Sequence, residues 1–214
     1  MPSPPSSRTA DPGDRGAVIH TIVRAFTEDP LVRWFFPDDA AYERRASAFF
    51  GYLFDIRVVH GEIRVAGDCA AASLWNRPGG GMPQPEQDRL WATDVEPGAE
   101  PGELDRLDAM EEAVDAVRPA GPHWYLGVLA TDPSRRGGGL ARAVLQPVLE
   151  RADADGTPAL LETGTPENLP FYARFGFDVL AEARVSGGPP LWAMWRPPQA
   201  ARARRQTHGS SESL

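Results

Sequence analysis

Two short segments of the chain carry side chains and backbone patterns able to do chemistry. In the first, Leu129-Ala130-Thr131 is followed by Asp132-Pro133-Ser134, then Arg135-Arg136. The run Gly137-Gly138-Gly139 then opens directly into Leu140-Ala141-Arg142. This reads as a strand end, a turn and a glycine run entering a helix. Such a junction aims several backbone N–H groups, and the positive end of a helix dipole, at one point in space. A phosphate or pyrophosphate satisfies those donors, and glycine and alanine let it approach the backbone closely. The second segment holds Glu162 in a strand, a polar turn, then Asn168-Leu169-Pro170-Phe171-Tyr172 and the stop signal Gly176-Phe177. It offers a carboxylate, an amide and a phenol.

The Walker phosphate loop needs a lysine followed by Ser or Thr. All 22 basic residues here are arginine, so that reading fails. The dinucleotide fingerprint needs a glycine where Arg142 stands. What remains is Arg136-x-x-Gly139-x-Ala141, which resembles the acetyl-CoA loop of the GNAT acyltransferase superfamily. Downstream, Leu161-Glu162-Thr163 with Asn168, Tyr172, Gly176 and Phe177 falls on a second motif of that superfamily. The block from Pro122 to Trp195 resembles the catalytic half of puromycin N-acetyltransferase and its antibiotic-acetylating relatives. The first 120 residues depart from that enzyme, so puromycin need not be the acceptor.

The resemblance implies an N-acetyltransferase that moves an acetyl group from acetyl-CoA to a primary amine of a small molecule by direct transfer. It implies an α/β (α+β) GNAT fold: a mixed, mostly antiparallel twisted sheet with helices on both faces. The cofactor would lie on Leu129, Ala130 and Thr131, on Arg136, on residues Gly137, Gly138, Gly139, Leu140, Ala141 and Arg142, and on Asn168 and Tyr172. Arg135 is a solvated neighbour as readily as a ligand. A backbone N–H in the strand, that of Leu129, would face the thioester oxygen. Tyr172 would act as general acid, since a phenol with a pKa near about 10 stays protonated at neutral pH. Asn168 is a cofactor contact or a helix N-cap.

The general base is left open. Glu162 would orient the amine or a water, or serve only as a structural carboxylate. Glu28, Asp29 and His123 are further candidates, Asp29 doubling as a cap before Pro30 and His123 as a surface residue. The acceptor pocket is expected from Asp29, Trp34 and Tyr125, with Phe35, Trp75 and Trp91 nearby. Two other readings stand beside this one. The acidic residues of 94–112 would suit a peptide acceptor, and an intact loop without turnover would make the chain a CoA-binding module.

Composition limits the rest. A chain of 214 residues with 42% hydrophobic residues supports a single domain with a real core. The net charge of -8 disfavours nucleic acid or an anionic membrane as partner. Arginine without lysine, with abundant Ala, Gly and Pro, suggests a GC-rich bacterial genome. Cys69 is the only cysteine and is expected to be a small core residue, so no intrachain disulfide forms. No apolar run approaches a membrane span, and residues 1–12 lack a signal-peptide core. A cytoplasmic monomer or homodimer without a metal is expected.

Along the chain, residues 1–12 and 198–214 are expected to be disordered, leaving one domain at 13–197 with a weak or missing first strand. Helices are expected at 14–26 (capped by Asp14), from Pro30, at 39–58 (capped by Asp39), 86–93, 103–117, 139–155 and 169–175. Strands are expected at 62–66, 70–75, 124–130, 158–162, 177–183 and 191–195.

Overall fold

The structure, a computed structural model, describes residues 5–199. Its seven strands are β1 (Ser7–Thr9), β2 (Glu62–Ala66), β3 (Ala71–Asn76), β4 (Trp124–Thr131), β5 (Ala159–Thr163), β6 (Asp178–Arg184) and β7 (Pro190–Arg196). They form one sheet in the order β1-β2-β3-β4-β5-β7-β6. Every neighbouring pair is antiparallel except β4 and β5. The α-helices are α1 (Arg15–Ala25), α2 (Pro30–Phe35), α3 (Asp39–His60), α4 (Gln84–Leu90), α5 (Glu103–Asp115), α6 (Leu140–Ala154) and α7 (Leu169–Ala173).

Each face of the sheet has its own core. In α1, Val18, Ile19, Ile22 and Val23 form one apolar stripe. That stripe packs with α2, α3 and α5 over Ile63, Val65, Leu74, Val128 and Ala130. In α6, Leu145, Val148, Leu149 and Ala152 repeat at helical spacing and cover Trp75, Trp124, Leu126 and Leu161 on the other face. Helices therefore lie on both sides, as the sequence led one to expect.

Three local expectations need correction. Ser7–Thr9 lies inside the segment expected to be disordered, yet it forms a short strand against β2. Arg8 holds it there by an ion pair to Asp14. Asp14 does not cap α1 with its side chain; it closes a capping box with Asp11 around the preceding turn. The cap of α3 is Asp38, one residue earlier than expected, accepting from the Ala40 N–H at 3.0 Å. The expected tail from 198 onward lies outside the described residues except for its first two positions.

The strand β4 positions the site. Its register on β3 slips between Leu74 and Trp75, which pair with Val128 and Leu126 and leave Gly127 as the extra residue of a β-bulge. The bulge changes which residues face which side. Leu126 packs on the α6 face, whereas Val128 and Ala130 pack on the α1–α3 face. Pairing with β5 covers only Trp124–Leu126. Beyond Gly127 the two strands splay apart. The Asp132 N–H reaches across to the Ala70 carbonyl on the β3 side, at 2.8 Å. Strand alternation then turns the N–H groups of Leu129 and Thr131 to the opposite edge, into the opening.

Candidate active site

Two cavities enter this opening from opposite sides. The first, of about 1000 Å³, runs along α1, the glycine run and α7. Leu129, Thr131, Arg135, Arg136, Gly137, Gly139, Leu140, Ala141 and Arg142 line it, with Thr165, Asn168 and Tyr172. Gly137 and Gly139 have φ of 81° and 79°, a left-handed conformation that side chains resist. Gly139 occupies the N-cap position of α6, so the first-turn N–H groups of that helix point toward the groove without intrahelical partners. The Arg136 guanidinium lies across it, donating to the Ala25 carbonyl at 3.3 Å. The expected loop residues thus come together, except that Gly138 and Ala130 do not line the groove; Ala130 is buried beneath it.

The second cavity, of about 700 Å³, lies between α2, α3, α4, α5 and the strands β4 and β5. Its walls mix apolar side chains, among them Phe49, Phe50, Leu53, Ile56, Trp91 and Met110, with charged and polar ones such as Arg57, Asp88, Glu111 and Arg118. One buried ion pair fixes the roof. Arg45 on α3 meets Glu103 on α5, with its Nε 2.9 Å from Oε1 and both side chains 1% exposed. Arg45 also donates to the carbonyls of Val95 (2.5 Å) and Pro97 (3.0 Å). Arg106 ties α5 to α2 through the Phe35 carbonyl.

Phe26, Asp29, Leu129, Asn168 and Tyr172 line both cavities and mark where they meet. Tyr172 is buried, packed edge-on against Phe171 and Phe177. Burial, aided by the Asp29 charge, raises its phenol above the usual tyrosine range. Asn168 makes no cap hydrogen bond with its side chain, which instead donates to Thr163 Oγ1 at 3.4 Å. Glu162 and Tyr125 stand side by side in the second cavity. Burial pushes the Glu162 carboxyl up to about 7, against the Tyr125 hydroxyl and the Arg118 charge, and its Oε1 has no hydrogen-bond partner. The Tyr125 phenol is raised as well, by burial and then by Glu162. Arg118 lies over the Tyr125 ring at 5.4 Å.

The other candidates for the base fall away. Asp29 is spent as the cap of α2: Oδ1 accepts from the N–H groups of Leu31 and Val32, and Oδ2 from Thr165. Glu28 is exposed at the rim of the first groove. His123 lines neither cavity; its Nδ1 meets the Gly121 carbonyl and its ring packs on Trp195. Trp34 and Trp75 also drop out of the acceptor pocket. Trp34 packs against Gly188, and Trp75 is buried under α6 with its Nε1 on Ser73. Phe35 and Trp91 do line the pocket. Cys69 sits buried in the β2–β3 turn with φ of 64°, and burial raises its thiol. Among the described residues no cluster of His, Cys, Asp or Glu could hold a metal.

Two features escaped the sequence reading. Gly127 is an isolated glycine inside a strand pattern, itself a bulge signal. Arg57 on α3 follows Phe50 and Leu53 by seven and four positions, so a charge sits on an apolar stripe.

Comparison with known proteins agrees with this geometry. Residues 105–177 match the sequence model of the Acetyltransferase (GNAT) family. The chain is 25% identical over 167 residues to an uncharacterised N-acetyltransferase of Schizosaccharomyces pombe, covering 73% of this chain and 68% of that protein. A Corynebacterium glutamicum structure, named as histone acetyltransferase HPA2 and related acetyltransferase, superposes with a TM-score of 0.67 at 27% identity, over 92% of this chain and 97% of that one. Arylalkylamine N-acetyltransferase 2 of Aedes aegypti shares the fold, with a TM-score of 0.59 at 14% identity over 91% of this chain and 99% of that one. The fold is the GNAT fold, and with the matched segment and these relatives it makes this protein an acyltransferase. Its reaction class is N-acetyl transfer.

Proposed function

We propose that the protein moves an acetyl group from acetyl-CoA directly to the primary amine of a small molecule. The observation that carries this reading is the meeting of the two cavities at Leu129 and Tyr172. The groove suits acetyl-CoA: backbone N–H groups at the start of α6 and the Arg136 guanidinium favour a pyrophosphate. The open edge of β4 offers the Leu129 and Thr131 N–H groups to an amide-bearing arm, as an added strand would use them. The second cavity is roofed by α4 and α5 and has the size of a small-molecule site. A peptide acceptor would want an open groove instead.

Acetyl-CoA supplies an activated acyl carbon. The Leu129 N–H stabilises the negative charge that develops on the thioester oxygen, a contribution of about 3 kcal/mol for one such donor. Glu162, poised near pH 7, takes the proton that the amine must lose, directly or through a water. The C–N bond forms, the C–S bond breaks, and the electron pair leaves with sulfur. Tyr172 gives its proton to that thiolate; its raised pKa keeps the phenol protonated and neutral until then.

The test is thiol release from acetyl-CoA across a panel of amines, with the acetylated product identified by mass. Turnover with small amines and none with peptides supports the reading. Binding of acetyl-CoA without any acetylated product would overturn it.

A further inference from the structure

α3 buries two arginines, and they are treated differently. Arg45 donates to one carboxylate and two carbonyls. Arg57 lies three turns further on, 5% exposed, and lines the acceptor cavity. Its Nη1 donates to the Leu53 carbonyl at 3.1 Å, while its Nε is buried with no partner. Nη2 lies beneath the bulge of β4, where a Cβ on residue 127 would come within 2.6 Å of it; only glycine admits the guanidinium here. No carboxylate pairs with it among the described residues. The cavity's own acids, Asp29, Asp88, Asp108, Glu111 and Glu162, form no salt bridge to it, and its charged-state neighbours are the phenols of Tyr52 and Tyr125.

Arginine does not lose its proton in proteins. A buried guanidinium without a counter-charge is costly, and the fold makes room for it by deleting a side chain at residue 127. The unpartnered Nε and the adjacent Nη2 share one edge of the planar fork, the edge that matches a carboxylate. Gly127 precedes Leu129 by two residues, so this edge lies beneath β4 close to the proposed oxyanion donor. Glu162 and the apolar side chains of Phe49, Phe50, Leu53 and Ile56 line the same cavity.

We propose that Arg57 binds a carboxylate of the acceptor, so that the substrate is an amino-carboxylate with an apolar body: an amino acid or a close relative, not a simple amine. This rests on the cavity being the acceptor side of an acetyltransferase. The amine would face Glu162 and the thioester, and the acid would face Arg57.

Two measurements test it, one of them independent of turnover. In the first, 3-phenylpropanoate and 3-phenylpropan-1-ol are titrated into the protein while its melting temperature and binding heat are followed. The acid is expected to bind wild type and to lose at least about tenfold in affinity on Arg57→Met, with Arg57→Lys retaining part of it. Arg57→Met should leave acetyl-CoA binding unchanged and the unliganded protein as stable as wild type or more so, because it removes an unpaired buried charge. A merely structural arginine would give a fall in stability instead. In the second, L-phenylalanine, L-phenylalaninamide and 2-phenylethylamine are compared as acceptors. The acid is expected to win by about 100-fold in kcat/KM, with the preference collapsing in Arg57→Met. Equal binding of acid and alcohol, or equal or better acetylation of the amide and amine, overturns the proposal while leaving acetyl transfer intact. If no amine is acetylated, the transfer reading fails, and the carboxylate titration alone decides for or against Arg57.

Discussion

The two cavities that meet at Tyr172 are built by opposite means. The groove proposed for the donor draws its hydrogen-bond donors mainly from backbone: left-handed glycines, the open start of α6 and the free edge of β4. The cavity proposed for the acceptor is made of side chains from α2, α3, α4, α5, β4 and β5, pinned by a buried ion pair. A backbone site tolerates changes of individual side chains, because its donors belong to every residue. A side-chain site depends on each group that holds or lines it. Substitutions should therefore cost little on one side and much on the other.

The largest effect is expected from the roof. Glu103→Ala leaves Arg45 buried without its carboxylate, which typically costs about 3–5 kcal/mol. For a domain of this size the melting temperature should fall by about 10 °C or more, and acceptor turnover should go with it. Calorimetry checks this, and a loss below about 1 kcal/mol would break the claim that this pair holds the acceptor cavity. Next comes the junction. Tyr172→Phe should lower kcat by about 100-fold or more, as removal of a general acid does, with acetyl-CoA affinity unchanged by calorimetric titration. An unchanged kcat would remove Tyr172 from proton transfer.

That same asymmetry explains what the sequence made legible. The glycine run, Asn168 and Tyr172 are local patterns, so most of the residues that come together in the first groove could be read in order along the chain. The strand and helix positions came out within a few residues for the same reason, since apolar periodicity is local. The acceptor cavity gathers residues from positions 26 to 191, and no spacing announces that Phe49, Trp91 and Tyr125 share a wall. Trp34 and Trp75 look like pocket aromatics by type, yet one packs on Gly188 and the other under α6. Gly127 and Arg57 did carry signals, a glycine in a strand and a charge on an apolar stripe, but their meaning lies in their meeting. β1 could be expected only as a weak or missing strand, because three residues of poor strand propensity are held by Arg8 and by pairing with β2, both tertiary effects.

Glu162 gives an effect of intermediate size that can be read twice. As base it must be ionised, so kcat/KM should rise with pH through about 7, and Glu162→Gln should lose that limb and about 100-fold in rate. As a buried acid it should also show in stability. Its folded pKa lies above the ordinary value, so the folded chain holds a proton that the unfolded chain has released. The favourable contribution is complete at low pH and is lost as pH rises through about 7. Moving a carboxyl from 4.5 to about 7 corresponds to at most about 3 kcal/mol. Glu162→Gln should therefore melt higher than wild type near about pH 8, with the gap closing toward about pH 5. A pH-independent gap would mean that Glu162 does not titrate in this range, and would remove it as base.

The smallest effect is expected from Arg136, and it bears most directly on the contrast. This guanidinium touches one carbonyl, at 3.3 Å, and is otherwise exposed at the groove. Its attraction for a pyrophosphate acts through water and is screened by salt. The N–H groups at the start of α6 remain when it is gone, since they depend on Gly137 and Gly139 rather than on any side chain. Arg136→Ala should weaken acetyl-CoA binding only a few-fold at low ionic strength, and less at high salt, with kcat at saturation unchanged. A loss of about 100-fold that persists in high salt would mean that one side chain, and not the backbone, holds the donor. The difference in construction between the two cavities would then disappear.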